Sequence, residues 1–375
     1  MRKYDKISEL LRKRVINGDY SLTGIPADRQ LAQEFGISYM TARRAVQQLI
    51  DEDLLARGAN GRAAPKRRRD DGSRQLQAAF LMPSWGSRSI DMWRIAVERC
   101  TASRGACICP ISYRHWDDPV IADALDAFDG AFIVPSSEPT PDVLISAIQE
   151  SKCPVVFLEE DHSQDGIPSI DMAPLAFIHR LLDHLESFGH QSIACLNTQP
   201  YHSITAGRIA QWRIWMAAHG YCGELIDEPV VSYCDPLPQA YDAMKRELKR
   251  GRFDATAILC ITDAAAMGCM RALHEYGIEP GRDIAVATIG TSGTGDYCIP
   301  SLTALEQSDP MPYISLGFDW IAGGGGAWKG PLLLRPIEPT LVVRESSGRP
   351  IRPRVVSQES ADHSFTLATQ GGTTL

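Results

Sequence analysis

At 375 residues with 44% hydrophobic composition, the chain is too long for a single small domain and can bury at least one large core beside a smaller unit. No stretch approaches the roughly 20 apolar residues of a membrane helix, and Met1 to Lys6 show no apolar run of signal-peptide type, so a cytoplasmic protein is expected. The net charge of −8 is unevenly spread: the first 69 residues carry +7 and the remainder −15, which confines attraction for phosphates to one end.

Residues 4–17 place Ile7, Leu10, Leu11 and Val15 on one face of a helix. Pro26 and Asp28 open a short second helix with Leu31, Ala32 and Phe35 on one face, and Gly36 ends it. Ser38 is placed as the N-cap of a third helix, along which Ala42, Ala45, Val46 and Leu49 recur at helical spacing while Tyr39, Thr41, Arg43 and Arg44 lie elsewhere on the circumference. That is a helix-turn-helix whose second helix reads DNA. Leu54 to Arg57, the tetrapeptide from Gly58 to Gly61, and Arg62 to Ala64 then make a hairpin with a polar, basic tip, a wing.

These residues resemble the GntR family of winged-helix regulators. Tyr4, Ile7, Leu10, Leu11, Ile16 and Gly18 match its opening helix, Pro26 to Ala32 its second, and Ser38 to Ala45 its recognition helix, over about the first 65 residues. The resemblance implies that Arg29, Ser38, Tyr39, Thr41, Arg43 and Arg44 meet a double-stranded DNA operator, with Asn60, Gly61 and Arg62 at the wing tip entering or flanking the minor groove. Tyr39 stands where the family usually has arginine, so a different operator preference is expected.

Residues 66–75 hold the run Lys66-Arg67-Arg68-Arg69 without apolar periodicity and read as a basic linker, either touching phosphates or solvated. From Leu76 short apolar runs alternate with amphipathic helices, which specifies parallel, doubly wound sheets. Strands are expected at 77–82, 106–111, 130–134 and 154–158, and the rhythm restarts with strands at 192–196, 228–232, 257–261 and 283–289. An α/β protein of two such lobes with a cleft between them follows. The ten cysteines are scattered through apolar segments, and only Cys107 and Cys109 are close, so buried free thiols are expected.

This part resembles the LacI family, whose sensor has the fold of periplasmic sugar-binding proteins. The matching blocks include Asp129 to Pro135, Pro154 to Leu158, Ile167 to Asp171, Gly207-Arg208, Thr262 to Gly268, Pro300 to Leu305 and Val342 to Ser346, across residues 76–348. The resemblance implies a first lobe of about 76–171 and 304–328, a second of about 172–303 and 329–348, a homodimer formed through first-lobe faces, and a carbohydrate effector. A winged helix on such a sensor is similar to the arabinose-repressor branch of the GntR regulators. Residues 349–375 lack periodicity and are expected to be a disordered tail.

Ligands of doubly wound lobes bind at the carboxyl ends of the strands, so the candidates are positional. The effector set is Trp85, Tyr113, Glu159, Arg208, Tyr233, Asp263 and Thr291. Arg208 matches the family arginine that hydrogen-bonds the effector, whereas Asp263 reads either as a sugar ligand or as the N-cap of the following helix. The family's Gly-Phe-Asp-Asp stands here as Thr288-Ile289-Gly290-Thr291, without the gripping acid, which leaves open a regulator that ignores sugars. Trp212 reads as core and Trp85 as the better stacking platform.

An enzyme reading has little support. Gly323 to Gly330 lacks the ending of a phosphate loop, the histidines show no metal spacing, and no nucleophile elbow is present. No cofactor, metal or membrane partner is expected. The sequence therefore points to a cytoplasmic, dimeric transcriptional regulator, a repressor, with one operator and one small-molecule effector.

Overall fold

A computed structural model describes residues 3–16, 18–20, 22, 24–57, 63–65, 75–84, 88–201, 203–231, 234–251, 253–291 and 293–347. The wing tip with Asn60, Gly61 and Arg62, the linker, Trp85, Tyr233 and the tail lie outside the described residues.

The head is built from three helices and a hairpin: α1 (Lys3–Ile16), α2 (Asp28–Glu34), α3 (Tyr39–Asp51), β1 (Leu55–Arg57) and β2 (Ala63–Pro65). Its core is Leu11, Val15, Leu31, Ala42, Ala45, Val46 and Leu49 with Ile25 and Leu55. Leu10, expected on the apolar face of α1, is exposed. The Gln30 side chain accepts from the Ala27 N–H at 3.1 Å at the start of α2. Gly36, at φ 57°, lets the chain leave the helix while Ile37 donates back to the Ala32 carbonyl at 3.0 Å. The Ser38 hydroxyl accepts from the Thr41 N–H at 3.2 Å and caps α3. β1 and β2 pair antiparallel, Arg57 opposite Ala63.

Two six-stranded sheets form the body. The first has the strand order β13-β7-β6-β5-β3-β4, all parallel, from β3 (Gln77–Pro83), β4 (Cys107–Tyr113), β5 (Gly130–Ile133), β6 (Val155–Leu158), β7 (Ser169–Ile170) and β13 (Leu333–Leu334). Helices α4 (Arg88–Ser103) and α11 (Met311–Ala322) cover one face, α5 (Pro119–Ala127) and α6 (Asp142–Glu150) the other. The second sheet runs β14-β12-β11-β10-β8-β9, from β8 (Ile193–Asn197), β9 (Leu225–Asp227), β10 (Ala257–Cys260), β11 (Ala285–Ile289), β12 (Thr303–Glu306) and the antiparallel β14 (Thr340–Val342). Here α7 (Ile178–Ser187) and α8 (Ser203–His219) cover one face, α9 (Pro236–Arg250) and α10 (Asp263–Glu275) the other. Central strands such as β5, β6 and β10 are buried along their whole length, as parallel strands clad on both faces must be.

The later chain crossings differ from those read in the sequence. Residues 303–305 pair with β11 in the second sheet, so the chain returns to the first lobe between β12 and α11, not at about 304. Leu333 and Leu334 pair with β7 in the first, so it leaves again after 334, not at 329. Two-residue strands carry too little apolar periodicity to be legible. All ten cysteines are free, as expected, but Cys222 and Cys234 are exposed.

The head touches the first lobe at the opening residue of β3. The buried Gln77 amide donates to the Val15 carbonyl at 2.9 Å and also reaches that of Ile16, at the C-terminal end of α1 where carbonyls have no helical partner.

Candidate DNA-binding face and interlobe cleft

The cap at Ser38 fixes where α3 begins, and its buried stripe fixes which side faces out. Arg43 and Arg44 are therefore exposed on α3, Tyr39 and Met40 stand at its first turn, and Arg29 is exposed on α2. Arg44 lies over the Tyr4 ring at 5.5 Å, which orients its guanidinium. Other arginines of the head are spent internally: Arg12 is bidentate on Glu52 and Arg14 pairs with Glu34. Arg29 and Arg43 have no ion pair among the described residues, which leaves their charges for a phosphate or a base edge.

In the first lobe, Glu159 follows β6 with φ 69°, a left-handed conformation that a glutamate adopts only when its surroundings hold it. They do: Ser89 and the Trp93 indole, the latter at 2.7 Å, both donate to Glu159 Oε1. Asp171 follows β7, its Oδ1 accepting from Ala173 N–H at 3.0 Å. Burial pushes the Asp171 carboxyl up, partly offset by that N–H and by the charge of Arg335.

From the second lobe, Arg208 on α8 donates to the Ile261 carbonyl at 2.8 Å, beside the end of β10. Burial pulls the guanidinium below its ordinary value, and the charges of Glu159, Asp171 and Asp263 oppose that fall. Arg208 thus senses carboxylates from both lobes. It lines a recess with Met172, Pro174, Leu175, Gly290 and Glu306, where segments of the chain cross between lobes. Glu159, Asp171 and Asp263 all stand outside the wall of that recess.

Asp263 opens α10, but Thr262 is the residue whose side chain caps it, accepting from Ala265 N–H, while Asp263 Oδ1 accepts from Ala264 N–H at 2.8 Å. Two of the expected positions are placed elsewhere. Tyr113 is fully buried, stacked on Trp116 and donating to the Val134 carbonyl at 2.7 Å, because the two-residue period of β4 puts it beside Ile111 under α5. Thr291 is also fully buried, its hydroxyl donating to Glu306, so it orients that carboxylate. Trp212 is core, as read, with its indole donating to the Ile193 carbonyl at 3.2 Å. Trp93, Ser89, Asp171 and Glu306 were missed. Only Asp171 had a signal, as the last residue of a family block after a strand.

Residues 3–63 match the family described as bacterial regulatory proteins, gntR family, and residues 127–297 match periplasmic binding proteins and sugar binding domain of LacI family. The chain is a GntR-type DNA-binding domain fused to a LacI-type sensor. This GntR–LacI fusion is similar to the lactose operon repressor of Escherichia coli, at 25% identity over 317 residues, which span 81% of this chain and 78% of that one. Among solved structures it resembles the lac repressor dimer bound to operator and the anti-inducer ONPF, with TM-score 0.60, 21% identity, and coverage of 75% and 99% of the two chains. It also resembles a LacI family regulator from Enterococcus faecium with bound ribose, with TM-score 0.62, 18% identity, and coverage of 74% and 100%. At these identities the solved structures show the fold. The matched families make the fusion a DNA-binding transcriptional regulator. No helix among the described residues is long and apolar enough to cross a membrane.

Proposed function

We propose that this GntR–LacI fusion is a homodimeric cytoplasmic repressor whose hold on a pseudo-palindromic operator is set by a small carbohydrate-like effector bound between its lobes. The observation that carries the reading is the position of Arg208. It is anchored to the end of a second-lobe strand yet within the field of Glu159 and Asp171 from the first lobe, so a molecule lodged there touches both lobes. A planar fork of donors facing carboxylates suits vicinal hydroxyls. The ligand-bearing relatives support it: one holds an anti-inducer, another ribose, in the same fold.

Two heads of a dimer, each presenting α3 to a major groove, would read half-sites about one helical turn apart or a multiple of it. An effector that bridges the lobes favours their closed arrangement. It alters DNA affinity only in so far as it binds the closed and open arrangements unequally. The relatives are regulators, and no sugar turnover is expected.

Fluorescence anisotropy of full-length protein on an operator selected from random DNA, with and without added sugars, tests the reading. An effector-dependent shift in affinity that Arg208→Ala abolishes is the expected result. Sugars that bind the protein yet leave operator affinity unchanged would contradict it.

A further inference from the structure

We propose that the second lobe holds a divalent transition-metal site, suited to Zn²⁺, where α7 and α8 end together. Asp183 and Glu186 of α7 and His219, the last residue of α8, each bring a ligand atom to one place, the three atoms lying within 4.8 Å of one another. The site is independent of the effector reading. Ile178 and Arg208, nearer the starts of the same two helices, line the recess between the lobes, and about eleven residues of α8, roughly 16 Å, separate Arg208 from His219.

The direction of the hydrogen bonds sets this group apart from a patch of surface acids. His219 Nδ1 lies 2.8 Å from the Trp215 carbonyl oxygen. A carbonyl only accepts, so the ring hydrogen is on Nδ1, and Nε2 of the neutral imidazole faces the carboxylates with a lone pair. Trp215 also sets the ring plane, stacked against the imidazole at 4.0 Å, and its indole donates to Asp183 Oδ1 at 2.8 Å. Glu186 receives the Tyr221 hydroxyl on Oε1 at 2.9 Å, which leaves Oε2 for the group. Each ligand is thus oriented by a neutral partner outside the group, the arrangement that holds the ligands of metal centres in place. Trp215, which orients two of the three, is buried and so keeps them in register.

Three acceptors therefore converge with no donor between them. Among the described residues no lysine or arginine pairs with either carboxylate, and the 4.0 Å between His219 Nε2 and Glu186 Oε2 is too long for a hydrogen bond. It is within the span of two bonds of about 2.0–2.2 Å to one shared ion. The ends of α7 and α8 add to the attraction, because the unpaired carbonyls of a helix C-terminus carry partial negative charge. One imidazole nitrogen with two carboxylate oxygens favours Zn²⁺, Co²⁺ or Mn²⁺ over Ca²⁺ and Mg²⁺, which take shells of oxygen alone. Spacing along the chain could not show the site, since its histidine and its carboxylates stand on different helices.

The test uses the full-length protein, freed of metal with a chelator and titrated with ZnCl₂ in a calorimeter at pH 7, with thermal shift as the second readout. One Zn²⁺ should bind per chain and raise the melting temperature, while Mg²⁺ and Ca²⁺ at the same concentration leave it unchanged. Glu186→Gln and His219→Gln should each weaken the binding at least about tenfold. Asp183→Asn, which keeps an acceptor for the Trp215 indole, serves where either of those fails to fold. Because Cys222 and Cys234 are exposed, the Cys222→Ser/Cys234→Ser variant is the contrast and should bind as the native protein does. Co²⁺ in place of Zn²⁺ should show d–d absorption without thiolate charge transfer. Binding that survives loss of the carboxylate or the imidazole, or that disappears with the two thiols, overturns the inference, as does a native protein that takes up no Zn²⁺.

Discussion

His190 is 1% exposed, with Nδ1 3.0 Å from the Thr256 hydroxyl and Nε2 buried without a hydrogen-bond partner among the described residues. Burial, with a smaller push from His184, lowers it from 6.5 to about 4. The folded protein keeps this ring neutral where an unfolded chain would take up a proton. Its contribution to stability is therefore complete above about pH 6.5 and is lost as pH falls toward 4, about 3 kcal/mol in all. Denaturant midpoints measured between pH 7 and 4.5 should fall steeply for the native protein and less steeply for His190→Gln; equal slopes would place the ionisation elsewhere. The same scale separates the arginines of the head. Arg43→Ala should weaken operator binding by about 1–3 kcal/mol and reduce its salt dependence. Arg12→Ala, which breaks the pair with Glu52, should touch head stability and leave operator contacts intact. Anisotropy titrations at several salt concentrations distinguish the two.

At the scale of elements, the close approach of α9 and α10 is made by what one residue lacks. A Cβ on Gly268 of α10 would lie 2.6 Å from the Leu237 carbonyl oxygen and 2.7 Å from the Tyr241 nitrogen, both backbone atoms of α9. Neither can rotate aside, so Gly268→Ala must part the helices, at a cost of about 1–3 kcal/mol, read as a lowered denaturation midpoint with the slope unchanged. Sequence pattern made such elements easy to place. The helical spacing of Ala42, Ala45, Val46 and Leu49 gave α3 with its buried face, and the apolar runs gave the central strands of both lobes. Short strands were another matter. β7 and β13 hold two residues each and owe their existence to neighbours already in place, so the exact crossings between lobes had no local signature. The cleft was legible by position and only partly by role. Arg208 sits beside the end of β10, but whether Tyr113 faces a ligand or the core depends on the phase of β4, which one residue of slip reverses. The donors that hold Glu159 come from a helix some seventy positions away in the chain, beyond any local motif.

For the whole molecule, the distribution of charge sets how it approaches DNA. A head of +7 on a body of −15 should make association steeply salt-dependent and orient the encounter head first. Removing residues 1–75 should abolish binding to DNA-coated surfaces at any salt concentration, whereas the intact protein should be released progressively as salt rises. Head and body are also linked chemically through Gln77. The amide that holds the end of α1 sits on the first residue of β3, and the far end of that same strand leads toward Ser89 and the carboxylate it grips. On the proposed function, β3 would act as a push-rod seven residues long, with the head as cargo at one end and the effector as trigger at the other. Gln77→Leu keeps the rod but unhooks the cargo: operator and effector should each bind as before, yet no longer feel one another, and because linkage is reciprocal the silence should be heard from both sides.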